Sequence, residues 1–225
     1  MIPLQAAPNL IGQVYDRILE AIIDLTLPPG HRIRQGELAD RLGVSRQPVS
    51  HALHLLHRQG LVVESGRKGF EVARLDAIRI RQLYEVRGAI DGLAARLAAA
   101  RVTSDPAGCE ALRQALAAGA VIDAGTSMTA LIALDVEFHS AIYRLSGNPS
   151  IAELIAPQWP HMRRSMAAVL TDEAYRVNAW REHTDIATKI LGGDGAAAEA
   201  AAKAHALDAG RATEERLKAL PDQAA

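Results

Sequence analysis

The sequence predicts a mainly α-helical chain in two parts, a short three-helix unit closed by a hairpin over residues 1–75 and an all-α bundle over 76–225. Three observations carry this. Of 225 residues, 49% are hydrophobic but only 4% aromatic, and the abundance of Ala favours closely packed helices over a sandwich of sheets. Apolar residues recur three or four apart almost everywhere and alternate only between Leu61 and Val72. Finally, Pro and Gly interrupt the helical pattern often near the N-terminus and sparsely after residue 76.

Taking the elements in order, Val14, Ile18, Ile22 and Leu25 line one face of a first helix, which Leu27-Pro28-Pro29-Gly30 ends. Leu38, Ala39 and Leu42 mark a two-turn second helix stopping at Gly43. Ser45 is a good N-cap for a third, whose Val49, Ala52, Leu53 and Leu56 face inward up to Gly60. Residues 61–64 and 70–72 then alternate as short strands around Ser65-Gly66-Arg67-Lys68-Gly69. Together these elements have the plan of a winged helix-turn-helix. From Asp76 onward, breaks near 103–106, 119–125, 147–150 and 192–195 divide the chain into about six helices.

Charge narrows the partners. The net charge is −1, but residues 1–75 hold nine Lys+Arg against seven Asp+Glu, so the positive excess sits in the first unit. Its placement matters more than its size. The second helix of a helix-turn-helix enters the major groove by its N-terminal end, where free N–H groups and Ser45 suit a phosphate. Arg46, Gln47 and Ser50 fall on the outward side of its first two turns, where base edges are read, with His51 toward the backbone. Arg67, Lys68 and Gly69 form the hairpin tip, placed for a minor groove or a phosphate. Isolated surface arginines are usually only solvated, but here they coincide with the turn, the cap and the wing.

These residues carry a resemblance. The run from Val14 to Ala73, with Pro28-Pro29-Gly30, Glu37-Leu38-Ala39, Leu42-Gly43-Val44-Ser45-Arg46, Pro48-Val49 and Gly60-Leu61-Val62, resembles the N-terminal domain of GntR-type bacterial transcription regulators. One departure stands out. Members commonly carry arginine after the Pro-Val pair, where this chain has Ser50, which removes a base or phosphate contact.

The bundle places polar residues where apolar ones are expected. Ile80, Leu83, Ile90, Ala94 and Leu97 form a stripe that includes Arg87, either a snorkelled stem or a buried guanidinium awaiting an anion. Asp135 and His139 lie one turn apart with Leu134, Phe138 and Ile142; His183 lies amid Trp180, Ile186 and Ile190; His205 lies among alanines. A single core histidine is usually hydrogen-bonded filler. Three with a carboxylate on one interior suit a divalent metal, zinc foremost, with nickel, cobalt or manganese as alternatives.

Residues 76–218 are similar to the FCD effector domain of the FadR branch of GntR regulators. The matching pieces are Tyr84-Glu85-Val86-Arg87, Asp135-x-x-Phe138-His139, Ser146-Gly147-Asn148, Glu182-His183, and Asp194 followed by His205. The resemblance implies a metal held by Asp135, His139, His183 and His205, a small organic acid bound beside it, Arg87 anchoring that acid, and a homodimer on an operator in double-stranded DNA. Asp91 stands where glutamate is frequent. Two other readings stay open at this stage, a metal-dependent hydrolase and a purely structural ion. Against the hydrolase, no nucleophile motif, HExxH or separate general base is present.

The remaining features are bland. Cys109, the only cysteine, precludes an internal disulfide and reads as a buried thiol. No apolar run approaches the roughly 18 residues of a membrane span, and MIPLQAAPNL lacks the features of a secretory signal, so a cytoplasmic protein is expected. Met162, Met166 and the Trp159-Pro160 pair, which could line a pocket or a dimer face, read by default as core, and residues 221–225 as a frayed end.

Overall fold

The computed structural model describes residues 10–66, 69–123 and 125–219 and divides the chain into two compact units between Leu75 and Asp76. The wing tip Arg67-Lys68 and the C-terminal residues 221–225 lie outside the described residues.

In the first unit, helix α1 (Leu10–Ile23) packs on α3 (Arg46–Arg58) through Val14, Ile18 and Ile22 against Val49, Leu53 and Leu56. Leu25 does not belong to that face. The helix ends two residues earlier, Leu25 takes a left-handed backbone with φ 64° and is half-exposed, and Leu27 turns in to fill the core. Helix α2 (Gln35–Leu42) stops at Gly43, whose φ of 65° forms the left-handed cap that glycine adopts without steric penalty. The Gly43 and Val44 N–H groups donate back to the Asp40 and Ala39 carbonyls and close this end of α2. Ser45 has the extended backbone of an N-cap, but its hydroxyl makes no capping bond, so that oxygen is not used by its own helix.

The wing is three-stranded rather than a plain hairpin. β2 (Val62–Ser65) and β3 (Gly69–Val72) pair antiparallel, and the two-residue β1 (Arg32–Ile33) joins the far edge of β3, in the order β1-β3-β2. Ile33 faces Phe70, and both sink into the core. A two-residue strand leaves no alternation to detect, so this element is not visible in the sequence pattern.

The second unit holds α4 (Ala77–Ala100), α5 (Pro106–Ala120), α6 (Met128–Leu145), α7 (Pro149–Ile155), α8 (Trp159–Leu170), α9 (Glu173–Leu191) and α10 (Gly195–Ala219). Against about six helices expected there are seven among the described residues, because the four breaks read from the sequence delimit five segments and the 3-10 turn Ala156–Gln158 and the cap Asp172 each add another. The boundaries have a common cause. The side chains of Asp76, Asp105, Ser127, Asn148, Asp172 and Asp194 each accept from a backbone N–H in the first turn that follows. Long α4 and α10 form the most extensive helix pair, with Ala198, Ala202, Ala206 and Ala209 buried along α10. Small side chains at that spacing let the two helices approach, which is where the Ala-rich composition is used. Cys109, Met162 and Met166 are buried as expected.

Candidate functional site

In the first unit the proposed reading face is exposed. Arg46, Gln47 and His51 project from the first turns of α3, with Ser50 half-buried between them, while Pro48 and Val49 hold the same turn to the core. The Arg46 guanidinium lies over Gly36 on α2, so a Cβ there would come within 3.2 Å of it. At the wing, Gly69 sits where a Cβ would meet the Ser65 carbonyl at 2.7 Å, which keeps the hairpin tight. Arg32 approaches Gly66 on the same side.

The second unit turns its chemistry inward. Helix α6 supplies Asp135 and His139, α9 supplies His183, and α10 supplies His205, all buried or nearly so. One ring nitrogen from each histidine lies within 4.8 Å of the others, with His183 Nε2 3.2 Å from His205 Nε2. Asp135 joins them, its oxygens 3.6 Å from His183 Nε2 and 3.9 Å from His139 Nε2. The four residues named from the sequence are thus brought together.

This donor set fits a divalent ion. His139 Nε2 is buried without a hydrogen-bond partner, although it points at the other ligand atoms. Burial holds the His139 and His183 imidazoles well below their ordinary pKa, reinforced by the charge on Arg87 and by neighbouring imidazoles, so both stay neutral with a lone pair to donate. Asp135 is pushed up by burial and pulled back by Arg87 and His205, the position of a carboxylate short of positive charge. Three nitrogens and one oxygen match borderline metals such as zinc.

Arg87 is 1% exposed, so it does not snorkel. Burial is the largest single influence and opposes its charge, but Asp91, Tyr143, Tyr84 and Asp135 together outweigh it and keep the guanidinium protonated. The buried guanidinium is already paired in part. Its Nε donates to Asp91 Oδ2 at 3.0 Å, and its plane lies near the Tyr84 and Trp159 rings. Its Nη2, by contrast, is buried with no partner among the described residues. The Nη2 amino group therefore remains to donate to an anion. Asp91 also accepts from the Tyr143 hydroxyl and lies 3.5 Å from His139 Nδ1, which links the arginine to the histidine cluster.

Several participants were not evident in the sequence. Trp159, by default a core residue, has its ring near both His139 and Arg87, and Tyr143 lies beside Trp159 and donates its hydroxyl to Asp91. Trp180 stands edge-on to His183 with centroids 4.7 Å apart, and fits only because position 119 is glycine; a Cβ there would fall 1.9 Å from its ring. Of the quoted motif residues, Asp194 caps α10, Asn148 caps α7 and Ser146 bonds the Tyr143 carbonyl. These shape turns and touch no site atom. Among the described residues, no helix is long and apolar enough to cross a membrane.

Comparison with known proteins agrees with this division. The family model described as "Bacterial regulatory proteins, gntR family" matches residues 10–72, and the one described as "FCD domain" matches residues 82–208. The chain is 31% identical over 147 residues to the HTH-type transcriptional regulator YdhC of Bacillus subtilis, an alignment covering 64% of this chain and 63% of that relative, just under two thirds of its length. It is 29% identical over 197 residues to an HTH-type transcriptional regulator in an unstable DNA locus of Streptomyces ambofaciens, covering 85% and 80%. Among solved structures, a transcriptional regulator GntR from Rhodococcus sp. RHA1 shares the fold with a TM-score of 0.70 at 24% identity, covering 95% of this chain and all (100%) of that one.

Proposed function

Since the chain belongs to the gntR family of bacterial regulatory proteins and its second unit is an FCD domain, we propose that its operator affinity is set by a small organic acid bound beside a divalent metal ion in the bundle. The observation that carries this reading is one buried cluster, in which the Asp135, His139, His183 and His205 donors converge near Arg87, whose Nη2 has no partner.

Asp135 and the three imidazoles would hold the ion, and burial keeps at least two of those imidazoles in the neutral form that a ligand needs. Zinc or a similar ion supplies a Lewis-acidic position for an anionic oxygen. Arg87 Nη2 would donate to the acid's other oxygen, and the burial of the guanidinium beside the Trp159 and Tyr84 rings would strengthen that bond. At the DNA, Arg46, Gln47 and Ser50 read bases, while Ser45, His51 and the wing residues Arg67, Lys68 and Gly69 hold the backbone. The acid would act by population shift, binding one arrangement of two DNA heads better than another in a cytoplasmic homodimer. The family assignment sets the hydrolase aside, since the related proteins are transcription regulators.

The test is elemental analysis of protein purified without a histidine tag, followed by calorimetric titration of a panel of small carboxylic acids. About one ion per subunit is expected, with at least one acid binding the wild type and weakened in Arg87→Ala at unchanged metal content. Protein free of metal that still binds the acid at full affinity would overturn the metal-assisted reading. Unfolding of the bundle by a chelator would assign the ion a structural role instead.

A further inference from the structure

The three imidazoles of the cluster are held in place by different means, and the difference singles out a residue outside the ligand set. His183 Nδ1 is buried without a hydrogen-bond partner; its ring is oriented by packing, stacked on Phe138 at 4.2 Å between centroids with Trp180 edge-on. His139 Nδ1 has Asp91 at 3.5 Å, too long for a strong hydrogen bond. His205 alone makes a short one, 2.7 Å from Nδ1 to Glu182 Oε2.

Glu182 is itself constrained. Its other oxygen, Oε1, accepts from Asn178 Nδ2 at 2.6 Å, and Asn178 Oδ1 accepts from Arg181 Nη2 at 2.6 Å. Both carboxylate oxygens are therefore engaged, and all three residues ride on α9. On that helix, successive side chains point about 100° apart, so His183 enters the cluster while Glu182 reaches across to α10. With Nδ1–H given to the carboxylate, His205 must present a bare Nε2 inward, where it lies 3.2 Å from His183 Nε2.

We propose that Glu182 is a positioning residue of the metal centre, fixing the tautomer and ring angle of His205 and raising its donor strength from the solvent-facing edge of the bundle. This rests on the metal reading above. A carboxylate behind a ligating imidazole contributes about 10–100-fold in metal affinity in proteins where it has been removed. Because Glu182 is partly exposed, its replacement leaves no buried charge behind, unlike loss of Asp91.

The experiment measures zinc affinity by competition with a chromogenic chelator for wild type, Glu182→Ala, Glu182→Gln and Asn178→Ala. Visible absorption of the cobalt-substituted proteins and the melting midpoint of each metal-free protein complete it. Glu182→Ala is expected to bind zinc about 10–100-fold more weakly and to change the cobalt spectrum, while its metal-free melting midpoint stays at the wild-type value. Glu182→Gln, which retains an acceptor without the charge, should fall between, and Asn178→Ala should show the smallest loss. Wild-type zinc affinity in Glu182→Ala, or a loss accompanied by an equally marked drop in metal-free stability, overturns the proposal while leaving the metal site standing. A wild type that takes up no zinc or cobalt removes both, and only that outcome affects the unsubstituted protein.

Discussion

The first unit keeps its candidate chemistry outside and its core ordinary, whereas the second keeps its candidate chemistry inside and its surface ordinary. On α3, Val49, Ala52, Leu53 and Leu56 are fully buried while Arg46, Gln47 and His51 are exposed. On α6 and α9, His139 and His183 are as buried as Phe138 and Ile186 beside them. A surface site can change without cost to the fold, because water satisfies what the partner does not. An interior site is part of the packing, and its polar atoms must satisfy each other or a bound group. Changes at the two sites should therefore differ in kind. Replacements of the buried cluster residues and their packing neighbours should reach stability and ligand binding together, and replacements on the reading face should reach DNA binding alone.

The largest expected effect breaks the bundle from within. Phe138 is wholly buried, stacked on His183 and edge-on to Trp180. Phe138→Ala should cost about 3–5 kcal/mol of stability, the usual range for an aromatic removed from a core, and should loosen His183 so that zinc affinity falls as well. Chemical denaturation with a parallel zinc competition checks both. Lost stability with untouched zinc affinity would separate the packing from the site and weaken the contrast.

A smaller and cleaner effect is expected on the reading face. Arg46→Ala should lose about 1–3 kcal/mol of operator affinity if the guanidinium meets a base edge in pairwise fashion, at unchanged melting midpoint and zinc content. Fluorescence anisotropy with a DNA fragment from upstream of its own gene measures this, and equal titration curves for both proteins would sink the assignment of α3. The smallest effect belongs to the wing. Arg67→Ala should weaken specific and unrelated DNA alike and lower the salt slope by about one; a loss confined to the specific sequence would make Arg67 a base reader instead.

The same contrast explains what could be read from the sequence. In the first unit, the apolar rows at three and four, the Gly43 turn and the Pro28-Pro29-Gly30 stop specify the elements, because each rests on local backbone preference. Leu25 misled because periodicity alone cannot say where a helix frays, and Ile23 and Leu27 compete for the same core. In the bundle, His139, His183 and His205 could be found as violations of an apolar pattern. Arg87 could too, but its pairing could not: Asp91 reads only as a residue standing where glutamate is frequent, and nothing in the sequence says that the fold buries it against Arg87. Tyr143 gives no signal, Trp159 reads by default as core, and Glu182 stands only in the Glu182-His183 match, with nothing to pair it with His205. Aromatic rings fit any core, and the carboxylate reaches His205 across twenty-three positions of sequence, through the packing of α9 on α10. Long-range placement of this kind has no local signature.

The central claim is that the buried cluster governs what the exposed helix does. Anisotropy titration of the upstream DNA fragment with zinc-loaded protein, with and without each acid of the carboxylate panel, tests it most directly when wild type and His183→Ala are run side by side. The account predicts that at least one acid changes the wild-type affinity by about 5–150-fold, the span of ordinary allosteric coupling, and leaves His183→Ala unmoved. An equal shift in both proteins, or no shift with any acid that binds the bundle, would contradict it.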